Sequence, residues 1–444
     1  MTRSGAGRVA VVGAGPAGLY TAQCLLDGGA EVDVIDRLAA PYGLVRYGVA
    51  PDHVRMKSVV GVLRKPFATG AGFIGNVTVG RDVSLAQLRE HYHAVVHATG
   101  CPFDRSLDIP GERLAGSIAS SRFVGWYCGH PDLADFAPPL DQPGAVVIGA
   151  GNVALDVARV LAMGPDQLRG TDVPNPVLAA LAASRVRDIH ILIRRGPRDA
   201  RFTPAELKQL GELDDTRVVV HDDGTLERPD DEDLDLRQRQ NLGILREWAA
   251  REGGAGERRI QLRFQRSPVA LRGDDRVRQV VAERNTVRHG RISPTGEWHT
   301  IGAGLVVRAV GYRSEPVDGL PFDPATGTVP HEHGRVSPGL YVAGWLKRGP
   351  SGVIGTNKAD GAETAAAVLE DLPRLPAPAH PSTERLRRVL DERGARHTDW
   401  SGWLRIDAAE QELGRCRGAE RVKVGDRNTM IALAIREGAR ICTS

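Results

Sequence analysis

The sequence predicts an α/β protein with two parallel-sheet nucleotide-binding domains, one inserted into the other. Three observations predict it. A strand, glycine turn, helix and second strand open the chain at 8–37. The same pattern recurs at 144–196. A further strand with a loop and helix, from 339 to 372, follows the second pattern and reads as a return to the first sheet. The 444 residues suffice for two or three packed domains, and 52 glycines point to many tight turns and close backbone approaches.

The elements follow in order. RVAVV (8–12) is a continuous apolar run of the kind a buried parallel strand needs. GAGPAG (13–18) and the helix LYTAQCLLDGG come next, then the strand EVDVIDR (31–37). This is the dinucleotide fingerprint of a Rossmann-like unit. Gly13 permits the tight turn and Gly15 lets backbone meet a pyrophosphate. Gly18 permits close helix–strand packing. Ala14, Pro16 and Ala17 complete the turn, and the helix start offers N–H groups to phosphate. Asp36 closes the second strand, where an acid can bind both ribose hydroxyls, with Arg37 after it. YHAVVHATG (92–100) reads as another strand of this sheet, ending in Gly100 beside the nucleotide. His97 breaks its apolar pattern, as a local hydrogen-bonding group or a changed surface near the cofactor. Cys101 reads more simply as packing than as a redox group.

The second copy is GAVVIGAGNVALDVARVLA (144–162), with Gly149 and Gly151 in the turn and Ala154 in the third glycine place. Its second strand, DIHILIRRG (188–196), ends in Arg194 and Arg195 rather than an acid. A carboxylate there would repel a 2′-phosphate, whereas arginine grips one. The alternative is a solvated surface pair. The acid-ended first site therefore suits FAD, and the second suits a dissociable NADP(H). RRIQLRFQRSPVALRG (258–273) and VRQVVAERNTV (277–287) read as antiparallel strands with a turn at 274–276, and 303–314 as a returning strand. The expected division is 1–105 and 335–444 for the FAD domain, with 106–334 as the inserted NADP(H) domain. LPRLPAPAHP (372–381) is a Pro-rich connector. The tail beyond it is an appendage carrying Trp400 and Trp403.

Composition excludes other classes. The 5 cysteines have no metal-ligand or CxxC spacing, so no metal site is expected. A net charge of +3 makes no case for nucleic acid. No separate signal sequence is expected at the start, and no membrane insertion is expected, since the apolar run there is short and broken by glycines. A cytoplasmic monomer is the expectation.

The pieces together resemble adrenodoxin-reductase-type ferredoxin–NADP+ reductases. VVGAGPAG (11–18), PYGLVRYGVAPDH (41–53), GAGNVALDVAR (149–159), RRG (194–196), FTPAEL (202–207), GWLKRGPSGVIGTN (344–357) and RVKV (421–424) carry the likeness across nearly the whole chain. The second and sixth are its most specific parts. The resemblance implies that Gly43, Leu44, Val45 and the residues to Val49 follow FAD towards its ring. Gly344 and Trp345 would lie near the flavin, with Gly352, Val353 and Ile354 passing its pyrimidine side. Thr356 opens a helix whose positive end faces it. Asn152 and Val153 would meet the NADP pyrophosphate. Glu206 would accept from the nicotinamide amide, and Asp156 either orients the network or is a plain helix acid. His53 and Glu206 are the implied catalytic pair, His53 for positioning, redox tuning or proton relay, or else a structural hydrogen bond. Arg46, Arg55 and Lys57 beside it would meet an acidic ferredoxin-type iron–sulfur protein, or water. The implied activity is hydride exchange between NADPH and FAD, then single-electron exchange with that protein. A generic diaphorase, a glutamate-synthase-type reductase subunit and a non-enzymatic nucleotide-binding regulator are the alternatives.

Overall fold

The computed structural model describes residues 7–226, 234–251, 256–288 and 291–435. The chain divides into two compact units. The first takes the residues up to Phe103, Cys128–Ala134 and everything from Tyr312; the second takes Asp104–Tyr127 and Asp135–Gly311. The inserted unit thus ends at Gly311 rather than at 334, and a seven-residue loop between Cys128 and Ala134 returns to the first unit. Neither crossing carries a composition change that a sequence reading detects.

The first unit is built on a six-stranded sheet. Its core strands are β1 (Arg8–Val12), β2 (Glu31–Asp36), β3 (Gly72–Gly75) and β4 (Ala94–His97), in the order β3-β2-β1-β4. Leu340–Val342 pairs in parallel with β4, and Arg335–Ser337 adds an antiparallel edge. The late strand predicted near 339–345 is therefore in the first sheet. The helix α1 (Pro16–Asp27) and the helix Thr356–Asp371 lie close together: a Cβ on Gly361 would stand 2.9 Å from the Thr21 nitrogen. Val9, Val11, Val32 and Val34 bury one sheet face with α1 residues Leu19 and Leu25. Ala10, Val12 and Val95 bury the other with Leu340 and Leu346. Strand order reverses between β1 and β4, and such reversals open a crevice at the strand carboxyl ends.

The second unit holds a six-stranded parallel sheet in the order Ser117–Ala119, Leu305–Arg308, Gly144–Ile148, Asp188–Ile193, Arg258–Phe264, Thr216–His221. An antiparallel sheet of Arg266–Arg272, Gln279–Arg288 and Arg291–Gly302 accompanies it. The single long strand expected at 258–273 is thus two strands in different sheets. The break is Gln265, held at φ 54° with its N–H on the Arg195 carbonyl at 3.0 Å. Glutamine rarely adopts that conformation, so the sequence gives no warning of the turn. The segment 164–187 also folds into two helices, Pro165–Arg169 and Asn175–Ala182.

Candidate functional sites in the two units

The glycine turn of the first unit is shaped by contacts that exclude side chains. Gly13 has φ +112°, and a Cβ there would stand 2.5 Å from the Ala98 carbonyl oxygen. A Cβ on Gly18 would stand 2.0 Å from the Gly13 carbonyl oxygen. Gly15 differs: nothing in the protein lies within 4 Å of where its Cβ would be. Its absent side chain leaves space at the start of α1, where unpaired N–H groups favour phosphate. Asp36 ties the turn to β2, accepting from the Ala14 N–H at 2.6 Å and the Leu38 N–H at 2.8 Å. Burial pushes its carboxyl above the usual range against the pull of those two bonds. The acid expected for a ribose therefore also organises the turn. Gly100, at φ +74°, likewise has no protein neighbour within 4 Å of its missing Cβ.

The loop after β2 lies directly on this turn. The Tyr42 N–H donates to the Ala14 carbonyl at 2.8 Å, and a Cβ on Gly43 would stand 2.9 Å from the Gly15 Cα. Tyr42 and Gly43 have φ of +84° and +48°, so two consecutive residues hold unusual backbone there. A short helix, α2 (Leu44–Tyr47), follows. Leu44 stays 46% exposed while Val45 is buried, and the Val49 carbonyl accepts from Cys128 Sγ at 3.2 Å. His53 is buried at the start of the turn Val54–Lys57. Arg46 is also buried, in an ion pair with Glu410. It is not a surface docking charge, in contrast to exposed Arg55.

The late segment brings its residues to the same unit. Gly344 has φ +75°, and a Cβ there would stand 2.7 Å from the Ala17 Cβ. Its N–H donates to Asp360 at 2.5 Å. Buried Lys347 links Asp360, at 3.3 Å, to Glu363, at 2.5 Å, and its bond holds the Glu363 carboxyl down to about 2. Trp345 donates from Nε1 to the Ser351 carbonyl and stacks on Tyr312 at 5.6 Å. Gly352, at φ +82°, Val353 and Thr356 are exposed, and Ile354 is half-buried; the Val353 N–H donates to Thr356 Oγ1. The Lys347–Asp360 lock escaped the sequence reading, because a lysine followed thirteen residues later by an acid matches no local spacing rule.

Arg37 does not stand free at the end of β2. It bonds Asp132 at 2.5 Å and His130 Nε2 at 3.2 Å, from the loop Cys128–Ala134. Burial, helped by Arg37, lowers His130 to about 4. His97 is 1% exposed with neither ring nitrogen bonded, so the expected local hydrogen bond is not made, and burial lowers it to about 4. Cys101 is buried with Sγ 2.9 Å from Ser314 Oγ, and burial raises its thiol, which favours packing over redox work.

The second unit repeats the turn with changes. Gly151 has open space where its Cβ would be, whereas a Cβ on Gly149 would stand 2.3 Å from the Ala309 carbonyl oxygen. Asn152 and Val153 begin the helix Asn152–Ala162. The Asn152 side chain accepts from the Thr203 N–H at 2.9 Å, so it ties the start of this helix to the loop before Pro204. Arg194 is exposed; Arg195 is half-buried, 3.8 Å from Asp199, with its Nε buried and unbonded. Glu206 is buried in the first turn of Pro204–Leu210, which Thr203 caps. Arg159, 1% exposed, bonds Asp156 at 2.8 Å and Gln209 at 2.6 Å and lies 3.5 Å from Glu206. Asp156 and Glu206 thus share one buried cation. Sequence reasoning missed Arg159; the only signal was an arginine inside an otherwise apolar helix.

Open glycines at both helix starts and a half-bonded arginine after the second strand fit two dinucleotides, the second phosphorylated. Among the described residues no helix is long and apolar enough to cross a membrane.

Comparison with known proteins agrees in extent. Residues 7–173 match the family model of pyridine nucleotide-disulphide oxidoreductases. The NADPH-ferredoxin reductase FprA of Mycobacterium tuberculosis is 40% identical, over 96% of this chain and 99% of its own. The mitochondrial NADPH:adrenodoxin oxidoreductase of Mus musculus is also 40% identical, over 96% of this chain and 91% of its own. The solved structure of Mycobacterium tuberculosis FprA in complex with NADPH has a TM-score of 0.92 and 39% identity, covering 97% of this chain and 100% of that one.

Proposed function

The chain belongs to the family of NADPH–ferredoxin and NADPH–adrenodoxin reductases, and on that premise we propose that it carries electrons from NADPH through FAD to an acidic, ferredoxin-type iron–sulfur protein. The observation that carries the reading is the pair of glycine turns with unlike endings: Asp36 after the first, Arg194 and Arg195 after the second. Bound FAD would supply the chemistry that couples a two-electron hydride donor to a one-electron iron–sulfur acceptor.

The residues divide the work. Gly13, Gly15 and the start of α1 hold the FAD pyrophosphate, and Asp36 its ribose. Gly43, Leu44, Gly344 and Trp345 would border the ring, and Gly352 to Thr356 would pass its pyrimidine side, whereas Val45 is buried in the core behind them. Gly151 and the N–H groups of Asn152 and Val153 hold the NADP(H) pyrophosphate. Arg194 and Arg195 hold its 2′-phosphate, and Glu206 accepts from the carboxamide. His53 positions the reacting face or relays a proton. Hydride transfer itself needs alignment more than a strong base, so these are chiefly orienting roles. The reading further holds the protein to be a cytoplasmic monomer.

Anaerobic mixing with one equivalent of NADPH, then NADH, tests it. Fast bleaching of the flavin by NADPH and slow bleaching by NADH are expected, followed by reduction of an added acidic iron–sulfur protein. A preparation that neither contains nor takes up flavin would end the reading. Reduction of dyes but of no iron–sulfur protein would leave a diaphorase.

A further inference from the structure

We propose that Glu410, in the C-terminal appendage, is a positioning residue for the flavin. It acts by clamping the loop that lies on the glycine turn, through Arg46. The proposal rests on FAD occupying that turn.

The loop at 41–47 needs such a clamp. Tyr42, a bulky residue at φ +84°, sits in a conformation that costs on the order of 1–3 kcal/mol and persists only when its surroundings impose it. The surroundings are supplied by a segment over 350 residues away in sequence. Arg46 Nη1 donates to Glu410 Oε2 at 2.9 Å and Nη2 to Oε1, as a fork on one carboxylate. The two side chains are 4% and 0% exposed. Glu410 is itself held: Oε1 accepts from the Val424 N–H at 2.9 Å, and the Glu410 carbonyl accepts from the Val422 N–H. Lys423 Nζ, also buried, donates to the Arg46 carbonyl at 2.7 Å and caps the end of α2. The Arg46 guanidinium lies 5.1 Å from the Trp403 ring and 5.0 Å from the Tyr47 ring. Trp403 in turn meets Tyr42 edge-on at 5.8 Å.

Stability alone does not call for this arrangement. Well-packed apolar side chains of similar volume often do as well as a buried ion pair. What the fork adds is direction: it fixes α2, and with it Tyr42 and Gly43 against Ala14 and Gly15. A misplaced loop would shift the backbone that borders the flavin.

The test is Glu410→Gln in the full-length protein, with flavin removed and titrated back. We expect the FAD dissociation constant to rise about tenfold or more, with an altered visible circular dichroism of the bound flavin. Glu412→Gln, on the same helix but half-buried and paired with exposed Arg415, should change neither. Parent-like FAD binding and flavin dichroism, with only a lower Tm, would overturn the proposal. If Glu410→Gln does not fold, the double variant Arg46→Met/Glu410→Met removes both charges and should fold. It should still bind FAD about tenfold more weakly, and parent-like binding there overturns the proposal equally. Gly15→Val, run in parallel, separates the two claims. Loss of FAD in Gly15→Val with none in the Glu410 variants removes the clamp alone. No loss in Gly15→Val removes the placement of FAD on which the clamp depends.

Discussion

Single glycines in the first turn have separable duties, and their missing Cβ atoms show which. A methyl on Gly18 would drive into the Gly13 carbonyl, so Gly18→Ala should lower the Tm of the flavin-free protein. A side chain on Gly15 meets no protein atom. Gly15→Val should therefore leave the flavin-free Tm within a few degrees of the parent while abolishing flavin uptake. Equal damage from the two, followed by calorimetry and flavin titration, would contradict the division. His97 gives a second residue-scale prediction. Its ring is buried without a partner, and burial lowers its pKa from 6.5 to about 4. Between those values the unfolded chain binds a proton that the folded one refuses. Stability is therefore lost as pH falls from 6.5 towards 4, by up to about 3 kcal/mol. His97→Leu removes this loss along with an unsatisfied polar group. Its Tm advantage over the parent should widen between pH 7 and pH 5; a constant or shrinking difference refutes the argument.

At the scale of elements, the two strand–turn–helix units were legible because each is local: glycines, an apolar run and a closing acid or arginine lie within about fifty residues. What the sequence hid is non-local or depends on one rare dihedral. Gln265 at φ 54° moves the chain from one sheet to another, and no glycine marks it. Arg46 reads as a surface charge until helix Trp400–Arg417 supplies Glu410. Arg159 reads as helix filling until Pro204–Leu210 brings Glu206. The arginines after Asp188–Ile193 were legible, and they carry the third prediction. Each charge-assisted bond to a 2′-phosphate contributes about 1.5–3 kcal/mol. Arg194→Ala and Arg195→Ala should each raise the KM for NADPH by about ten- to a hundredfold and leave that for NADH nearly unchanged. Steady-state kinetics with both nucleotides checks this, and equal losses for both would assign the pair to structure.

For the molecule as a whole, a formal charge of +3 is too small to draw an acidic partner by itself, so attraction for the acidic partner proposed above would come from local surface. After the loop 41–53, Val54, Met56 and Val62 are exposed apolar groups, and Arg55, Arg64 and Lys65 are exposed cations among them. Apolar contact with a charged rim is what a transient protein interface needs. Rim charges act mainly on association, and salt screens them within about 8–10 Å at 0.1–0.15 M. Electron transfer to an acidic ferredoxin should therefore slow several-fold between about 50 and 200 mM salt. Reduction of an uncharged dye should not. Arg55→Glu should raise the KM for the ferredoxin about three- to tenfold at low salt, flatten the salt dependence and leave NADPH-driven dye reduction at the parent rate. Because buried Arg46 has no share in this surface, its effect belongs to flavin binding and should carry no salt dependence. An Arg55 variant with an unchanged salt slope would place the acceptor on another face of the protein.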